Sequence, residues 1–199
     1  MFLAWYKWGD CNVVKRRGNE FNPESIYNYL KSNNGGVEFC SIKSFYNYLD
    51  WMEKSFLIKP IYRYNVSDKK ILKSNPKYYV IDNGMRIIQA SFNNYDWGRF
   101  LENIIYVELL SRGYEAYVGK AYKGEVYFAA IKNGKKRFIQ VVYIMENEET
   151  IAREFNAFSS IKDASPKCVL SLDTIDLSRN GITHLNIIDF LTQKNIFLS

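Results

Sequence analysis

The sequence predicts a mixed α/β protein of α+β character, built as two modules in a chain of 199 residues. Three observations carry that expectation. Apolar residues recur at spacings of three and four over 42–56, the mark of one buried helix face, and two β-rich runs follow. A turn signal at Asp82-Asn83-Gly84 and a polar stretch at 91–96 then interrupt the pattern. Beyond that interruption the segments come in the order αβββαβ, with Asn133-Gly134 marking a hairpin. The boundary is placed between residues 90 and 91, giving modules 1–90 and 91–199, with residues 1–20 unassigned.

The first module opens with a helix start at Asn22-Pro23-Glu24-Ser25: an Asn cap, Pro at the first helical position and an acid in the first turn. This helix carries Ile26, Tyr27 and Leu30 and stops in Asn33-Asn34-Gly35-Gly36. Ser41 is positioned to cap a second helix whose inward stripe is Ile42, Phe45, Leu49, Met52 and Phe56. Lys43, Ser44, Asn47 and Lys54 lie on its opposite face. Strand-like runs at 57–64 and 77–81 flank a polar, basic connection holding Asp68, Lys69, Lys70 and Lys73. Two short helices and a two-stranded ribbon with a basic tip follow the order of a winged helix. In that fold the second helix can enter a major groove while the wing meets phosphate, and the same fold also serves as a protein-docking module.

The second module begins with a helix over 97–112 that is apolar on most sides, interrupted by Glu102 and Glu108, and ends at Gly113. Strands are predicted at 114–118, 125–131 and 137–145, then a helix over 148–160 with Ile151, Phe155 and Phe158 inward. Two further strands at 166–172 and 182–187 and a short helix at 188–192 complete a mixed sheet with flanking helices.

Composition narrows the function classes. With 47% hydrophobic residues, four prolines and eleven glycines, the chain is neither disordered nor collagen-like. No apolar run reaches the roughly 18 residues of a membrane span, so no membrane partner is expected. Three widely spaced cysteines (Cys11, Cys40 and Cys168) point to a reducing cytoplasm and exclude a CxxC zinc site. A single histidine, His184, excludes a His-rich metal centre and an HExxH motif. The net charge of +6 is uneven. Residues 1–97 hold 14 Lys/Arg against 9 Asp/Glu, whereas 98–199 hold 13 against 12. The excess favours a polyanion contact on the first half.

Three constellations bear on chemistry. Gly113 to Ala121, with Gly119-Lys120 inside it, superficially resembles a phosphate-binding loop. It has five residues between the glycines instead of four, and Ala121 lacks the hydroxyl that binds magnesium, so no ATP hydrolysis is expected. A Ser–His–Asp triad would have to use His184, which sits in an ordinary alternating strand, and a structural role is expected. Around the hairpin, Glu125 and Tyr127 lie two apart on one strand, as do Gln140 and Val142 on the next, with Glu102 on the preceding helix. A magnesium-dependent nuclease needs carboxylates converging from such elements, and usually a lysine two residues beyond the second one.

The run Gly98-Arg-Phe-Leu-Glu-Asn-Ile-Ile-Tyr-Val-Glu-Leu-Leu-Ser-Arg-Gly-Tyr114, with Val118-Gly-Lys120, Gly124-Glu-Val-Tyr-Phe128 and Phe138-Ile-Gln-Val141, resembles the C-terminal region of prokaryotic AAA-type ATPases. Ala152-Arg-Glu-Phe155, Lys167-Cys-Val-Leu-Ser-Leu-Asp173 and Asn180-Gly-Ile182 continue the resemblance. So do Tyr48-Leu-Asp-Trp-Met-Glu-Lys-Ser-Phe-Leu-Ile58, Arg63-Tyr64 and Lys77-Tyr-Tyr-Val-Ile-Asp-Asn-Gly84 in the first module. The resemblance covers roughly residues 20–195. It implies a winged helix followed by a PD-(D/E)XK, restriction-endonuclease-like domain. It also exposes departures. Tyr127 stands where that family has an aspartate, Gln140 is neutral where active nucleases carry an acid, and Val142 replaces their lysine. Glu102 alone keeps the implied chemistry, Glu125 is the neighbouring substitute ligand, and Lys120 and Arg153 are the candidate replacement cations. The family's ATPase module is absent, so the chain reads as a truncated paralogue, a fragment or a stand-alone descendant of the C-terminal half.

The expectation is therefore a non-catalytic nucleic-acid-binding or regulatory module in the cytoplasm, with Lys43, Asn47, Lys69, Lys70 and Lys73 on nucleic acid and no resident cofactor. The degenerate-site residues are Glu102, Glu125, Tyr127 and Gln140. Two alternatives stand beside it: a magnesium-dependent nuclease with Glu102 and Glu125 as ligands, and an interaction module bound to an AAA-type ATPase or to itself.

Overall fold

The computed structural model describes residues 24, 27, 28, 31, 32, 40–84, 97–121 and 124–193. The predicted Asn22-Pro23 cap, the stop at 33–36, residues 1–20 and the boundary at 90–91 lie outside them. By its internal contacts the chain forms two units, Met1–Ile61 with Ser74–Tyr95, and Tyr62–Lys73 with Asp96–Ser199. The tip of the predicted ribbon, read from sequence as part of the first module, thus groups with the second unit.

In the first unit, α1 (Ile42–Lys54) starts where the sequence indicates. The Ser41 side chain accepts a hydrogen bond from the Ser44 N–H at 3.1 Å, satisfying one of the helix's orphan donors. Phe45 and Leu49 are buried with Tyr27 and Ile58, and Tyr27 donates its hydroxyl to the Cys40 carbonyl at 2.8 Å. Phe56 departs from the expected stripe. It lies beyond the Ser55 cap at φ 57°, 77% exposed, while its N–H donates to Glu53 O and the Leu57 N–H to Met52 O. The helix closes through a left-handed residue, a place normally taken by glycine, and that turn swings Phe56 out of the apolar face.

Strand β1 (Ile58–Asn65) turns at 66–69 into β2 (Lys70–Val80). β2 is longer than expected, so Lys70 and Lys73 belong to a strand and not to a loop. It occupies the sheet edge, where Pro76 is tolerated despite lacking an N–H.

The second unit holds β3 to β7 and, of β1 and β2, Tyr62–Asn65 and Lys70–Lys73, within a mixed sheet of order β2-β1-β3-β4-β5-β6-β7. It contributes α2 (Trp97–Ser111), β3 (Glu115–Ala121), β4 (Gly124–Lys132), β5 (Lys135–Val141), α3 (Glu148–Asn156), β6 (Lys167–Ser171), β7 (Thr183–Asn186) and α4 (Ile187–Thr192). β3, β4 and β5 form an antiparallel meander, and β1–β3, β5–β6 and β6–β7 pair in parallel. Mixed α/β architecture with this element order is what the sequence led us to expect. β5 ends at Val141 and not at 145: Val142 and Tyr143 still bond to Leu170 and Leu172, and beyond them the Met145 N–H donates to the Asp173 carboxylate at 2.9 Å.

Both faces of the sheet are covered. Phe128 of β4 stacks on Tyr106 of α2, with ring centroids 6.2 Å apart. Its neighbour Ala129, paired with Phe138, joins the core around Ile151 and Phe155 of α3. Adjacent strand residues face opposite ways, so α2 and α3 lie on opposite faces.

One irregularity matters for the site. Tyr117 pairs with Ala129 but Gly119 with Val126, so two residues of β4, Tyr127 and Phe128, stand against Val118 alone. This β-bulge puts Val126 and Ala129, three apart, into the same core cluster. Gly119 is needed there, because a Cβ would lie 2.4 Å from Val126 Cγ2.

Candidate functional site

Two groups stand out among the residues singled out from sequence. β1 runs parallel to β3 with Arg63 opposite Val118, and β3 carries Lys120 opposite Glu125. Arg63 therefore reaches across β3, and its Nε donates to Glu125 Oε1 at 2.7 Å. Arg63 is 2% exposed, and 27% of the Glu125 side chain remains accessible. A guanidinium this buried requires an anionic partner, and Glu125 supplies it.

The second group surrounds Gln140. Its amide Nε2 donates to Glu154 Oε2 at 2.8 Å, and its Oε1 accepts the Tyr127 N–H at 3.3 Å. Glu154 Oε1 in turn accepts from Arg153 Nε at 2.9 Å. Both ends of the Gln140 amide are thus engaged, and its neutrality is required by the carboxylate it touches. Val142 packs in the core with Met145 and Ile151.

Glu102 is buried on α2 beside the buried Asn103, and each has interactions with its surroundings. Among the described residues no three His, Cys, Asp or Glu side chains are grouped to hold a metal ion. Lys120 and Arg153 are exposed. Arg153 is bound to Glu154, its Nη2 lying 2.7 Å from Oε1.

The nucleic-acid candidates are all on the surface. Lys43 and Asn47 lie on the exposed side of α1 in the first unit. Lys69, Lys70 and Lys73 are exposed on the β1–β2 hairpin in the second. The hairpin tip is ordered by Asn65, whose Oδ1 accepts the N–H groups of Ser67 (3.0 Å) and Asp68 (3.1 Å) while its Nδ2 donates to Asp68 Oδ2 (2.9 Å). Lys69 closes the turn at φ 52°.

His184 does meet a serine and an aspartate, an encounter that strand alternation alone does not predict. Ser171 Oγ lies 2.8 Å from His184 Nε2 and 2.7 Å from Asp173 Oδ2. The wiring opposes catalysis. The Leu177 N–H donates to Nδ1 at 3.3 Å, which leaves the ring proton on Nε2 as a donor to Ser171, and Ser171 spends its own proton on Asp173. Ser171 is fully buried and faces no basic imidazole nitrogen, so the three residues act as a latch holding β6, β7 and their connection. Burial pushes the Cys168 thiol up to about 12, opposed by Arg137, which makes it an inert core residue.

Sequence reading missed Arg63 as the partner of Glu125 and Glu154 as the partner of Gln140. For Glu154 a signal existed, since it lies three residues beyond Ile151 and beside Phe155 on the inward helix face.

Residues 12–96 match the family described as "Domain of unknown function (DUF8612)". The chain is similar to an "Uncharacterized protein" of Haemophilus influenzae, 32% identical over 178 residues, covering 88% of this chain and 43% of that protein. It is likewise similar to "Uncharacterized protein MJ1544" of Methanocaldococcus jannaschii, 35% identical over 170 residues, covering 83% of this chain and 35% of that protein. The chain thus spans less than half the length of these curated relatives. No solved structure matches it. Among the described residues no helix is long and apolar enough to cross a membrane.

Proposed function

We propose that this chain is a non-catalytic nucleic-acid-binding or regulatory module, related to the C-terminal half of prokaryotic AAA-type ATPases and carrying a degenerate nuclease site. The observation that carries the reading is the Arg63–Glu125 ion pair: the carboxylate best placed to replace the missing aspartate is already committed to a buried guanidinium. Gln140 is committed likewise, to Glu154. As placed, these groups do not fit a magnesium ion, which needs several oxygen ligands converging with open positions for water and phosphate. The nuclease-like fold is supported by the order α2-β3-β4-β5-α3-β6, with β3, β4 and β5 antiparallel and β6 parallel to β5. The greater length of the relatives accords with a larger multi-module parent architecture.

Nucleic acid is the favoured partner because Lys69, Lys70 and Lys73 project from a hairpin whose turn is held by side-chain hydrogen bonds, a geometry suited to phosphate oxygens. Lys43 and Asn47 offer a second contact from α1. The test is to incubate the full chain with linear duplex and single-stranded DNA in magnesium or manganese, beside a binding assay in EDTA. The expected result is intact DNA with the same complex in EDTA. Cleavage abolished by Glu102→Ala or Glu125→Ala would replace this reading with the nuclease.

One observation favours a protein partner instead. α1 and its end expose Tyr46, Trp51 and Phe56, the last at 77%. Co-purification with an AAA-type ATPase or self-association, without DNA affinity, would select that reading.

A further inference from the structure

A cavity of about 420 Å³ opens beside the β4–β5 turn, wholly within the second unit. Its volume falls in the range of small-molecule sites, about 300–1,000 Å³. Lys135, Lys136 and Arg137, consecutive on β5, are among its lining residues, which include no carboxylate. Asp163, outside that wall, pairs with Lys136, Nζ to Oδ2 at 2.5 Å. Lys136 also donates to the Tyr64 hydroxyl at 3.3 Å and sits over the rings of Tyr64 and Phe138, at 5.0 and 5.5 Å. The ammonium is therefore fixed before any ligand arrives. Because Tyr64 accepts from Lys136, its own hydroxyl proton is directed elsewhere, toward an acceptor.

The remaining surface is suited to a ring. Ile131, Pro166 and the Tyr64 ring supply apolar wall, and the space around Gly134 is open, since an added Cβ there would meet nothing within 4 Å. Asp163 offsets the charge of Lys136, so the excess positive charge at the cavity comes from Lys135 and Arg137, and with a hydroxyl donor and an apolar wall it suits an anion attached to a flat ring. We propose that this cavity binds a phosphate monoester carried on a nucleoside, as a free nucleoside monophosphate or as the 5′-phosphorylated end of a strand. The inference goes beyond duplex binding by the hairpin lysines and does not depend on it.

The test follows backbone amide resonances of the full chain during titration with AMP, adenosine and a 5′-phosphorylated trinucleotide. AMP is expected to shift Gly134, Lys135, Lys136 and Ser165 saturably, about ten-fold more tightly than adenosine, as charge-assisted recognition of phosphate requires. Lys135→Ala, an exposed change that spares the core, is expected to weaken AMP about three-fold. A trinucleotide that binds more tightly than AMP assigns the site to strand ends, and one that binds no more tightly assigns it to free nucleotides. No saturable shift at these amides, or equal response to adenosine and AMP, would overturn the proposal. So would disappearance of the AMP response in the Lys69→Ala/Lys70→Ala/Lys73→Ala variant, which would place the ligand on the hairpin.

Discussion

Arg63 Nε lies 2.7 Å from Glu125 Oε1, an ion pair between residues 62 apart in sequence that joins β1 to β4 over the intervening β3. It ties two strands of the sheet that are not neighbours. Arg63→Met or Glu125→Ala should each cost about 2 kcal/mol in urea unfolding, less than a fully buried pair because Glu125 keeps partial solvent access. The double variant should lose less than the sum, with a coupling of about 1–2 kcal/mol. Additive losses would show that the two charges act independently.

Gln140→Glu places an acid against Glu154, where the interacting atoms lie 2.8 Å apart. Two carboxylates at that distance share a proton, so the folded state holds one above its unfolded pKa of about 4.3. A raised folded pKa gives stability that is present at low pH and lost as pH rises. The variant should approach wild type near pH 4 and fall behind it at pH 8 in thermal melts. An equal deficit at both pH values would mean that Gln140 and Glu154 do not interact.

His184 gives the opposite pH dependence. Burial lowers its pKa below the ordinary 6.5, against the pull of Asp173, Asp176 and the Ile175 backbone. The unfolded chain then binds the proton more readily, so the stability of the neutral ring is present above pH 6.5 and declines as pH falls below it. Protonating Nδ1 also removes the acceptor for the Leu177 N–H. As the protein's sole histidine, it can be titrated directly by NMR. A midpoint below 6.5 is expected, and one above it would contradict the latch.

Phe56 holds a left-handed conformation while 77% exposed, so its side chain contributes little to offset the backbone cost. Phe56→Gly should raise stability by about 1 kcal/mol, measured as a higher melting temperature. If stability falls instead, the exposed ring is making contacts that the turn geometry does not reveal.

What the sequence made legible was local. The Ser41 cap and the Asn133-Gly134 turn, with both φ angles positive, each depend on a few adjacent residues. The element order of the second unit followed from periodicity for the same reason. The site was less legible, because its geometry depends on register. The bulge at Tyr127–Phe128 comes from the fit of Val126 against Gly119 on another strand, and no alternation count along β4 could reveal it. Arg63 was invisible as a partner because its bond to Glu125 is made across the sheet, whereas helix periodicity placed Glu154 inward without showing that Gln140 of β5 would meet it. The extension of β2 to Lys70 was hidden by Pro76, which argues against a central strand but is tolerated at an edge.

Phosphate recognition by the β1–β2 hairpin is tested most directly by salt-dependent binding to a short labelled duplex. Wild type should bind with an affinity that falls linearly in log–log form as salt rises from about 50 to 200 mM. Lys69→Ala/Lys70→Ala/Lys73→Ala should weaken binding across sequences and flatten the slope by about one for each phosphate left without its lysine, up to about three. An unchanged slope and affinity in that variant would contradict a phosphate-binding hairpin, as would a wild-type chain that binds no duplex even at low salt.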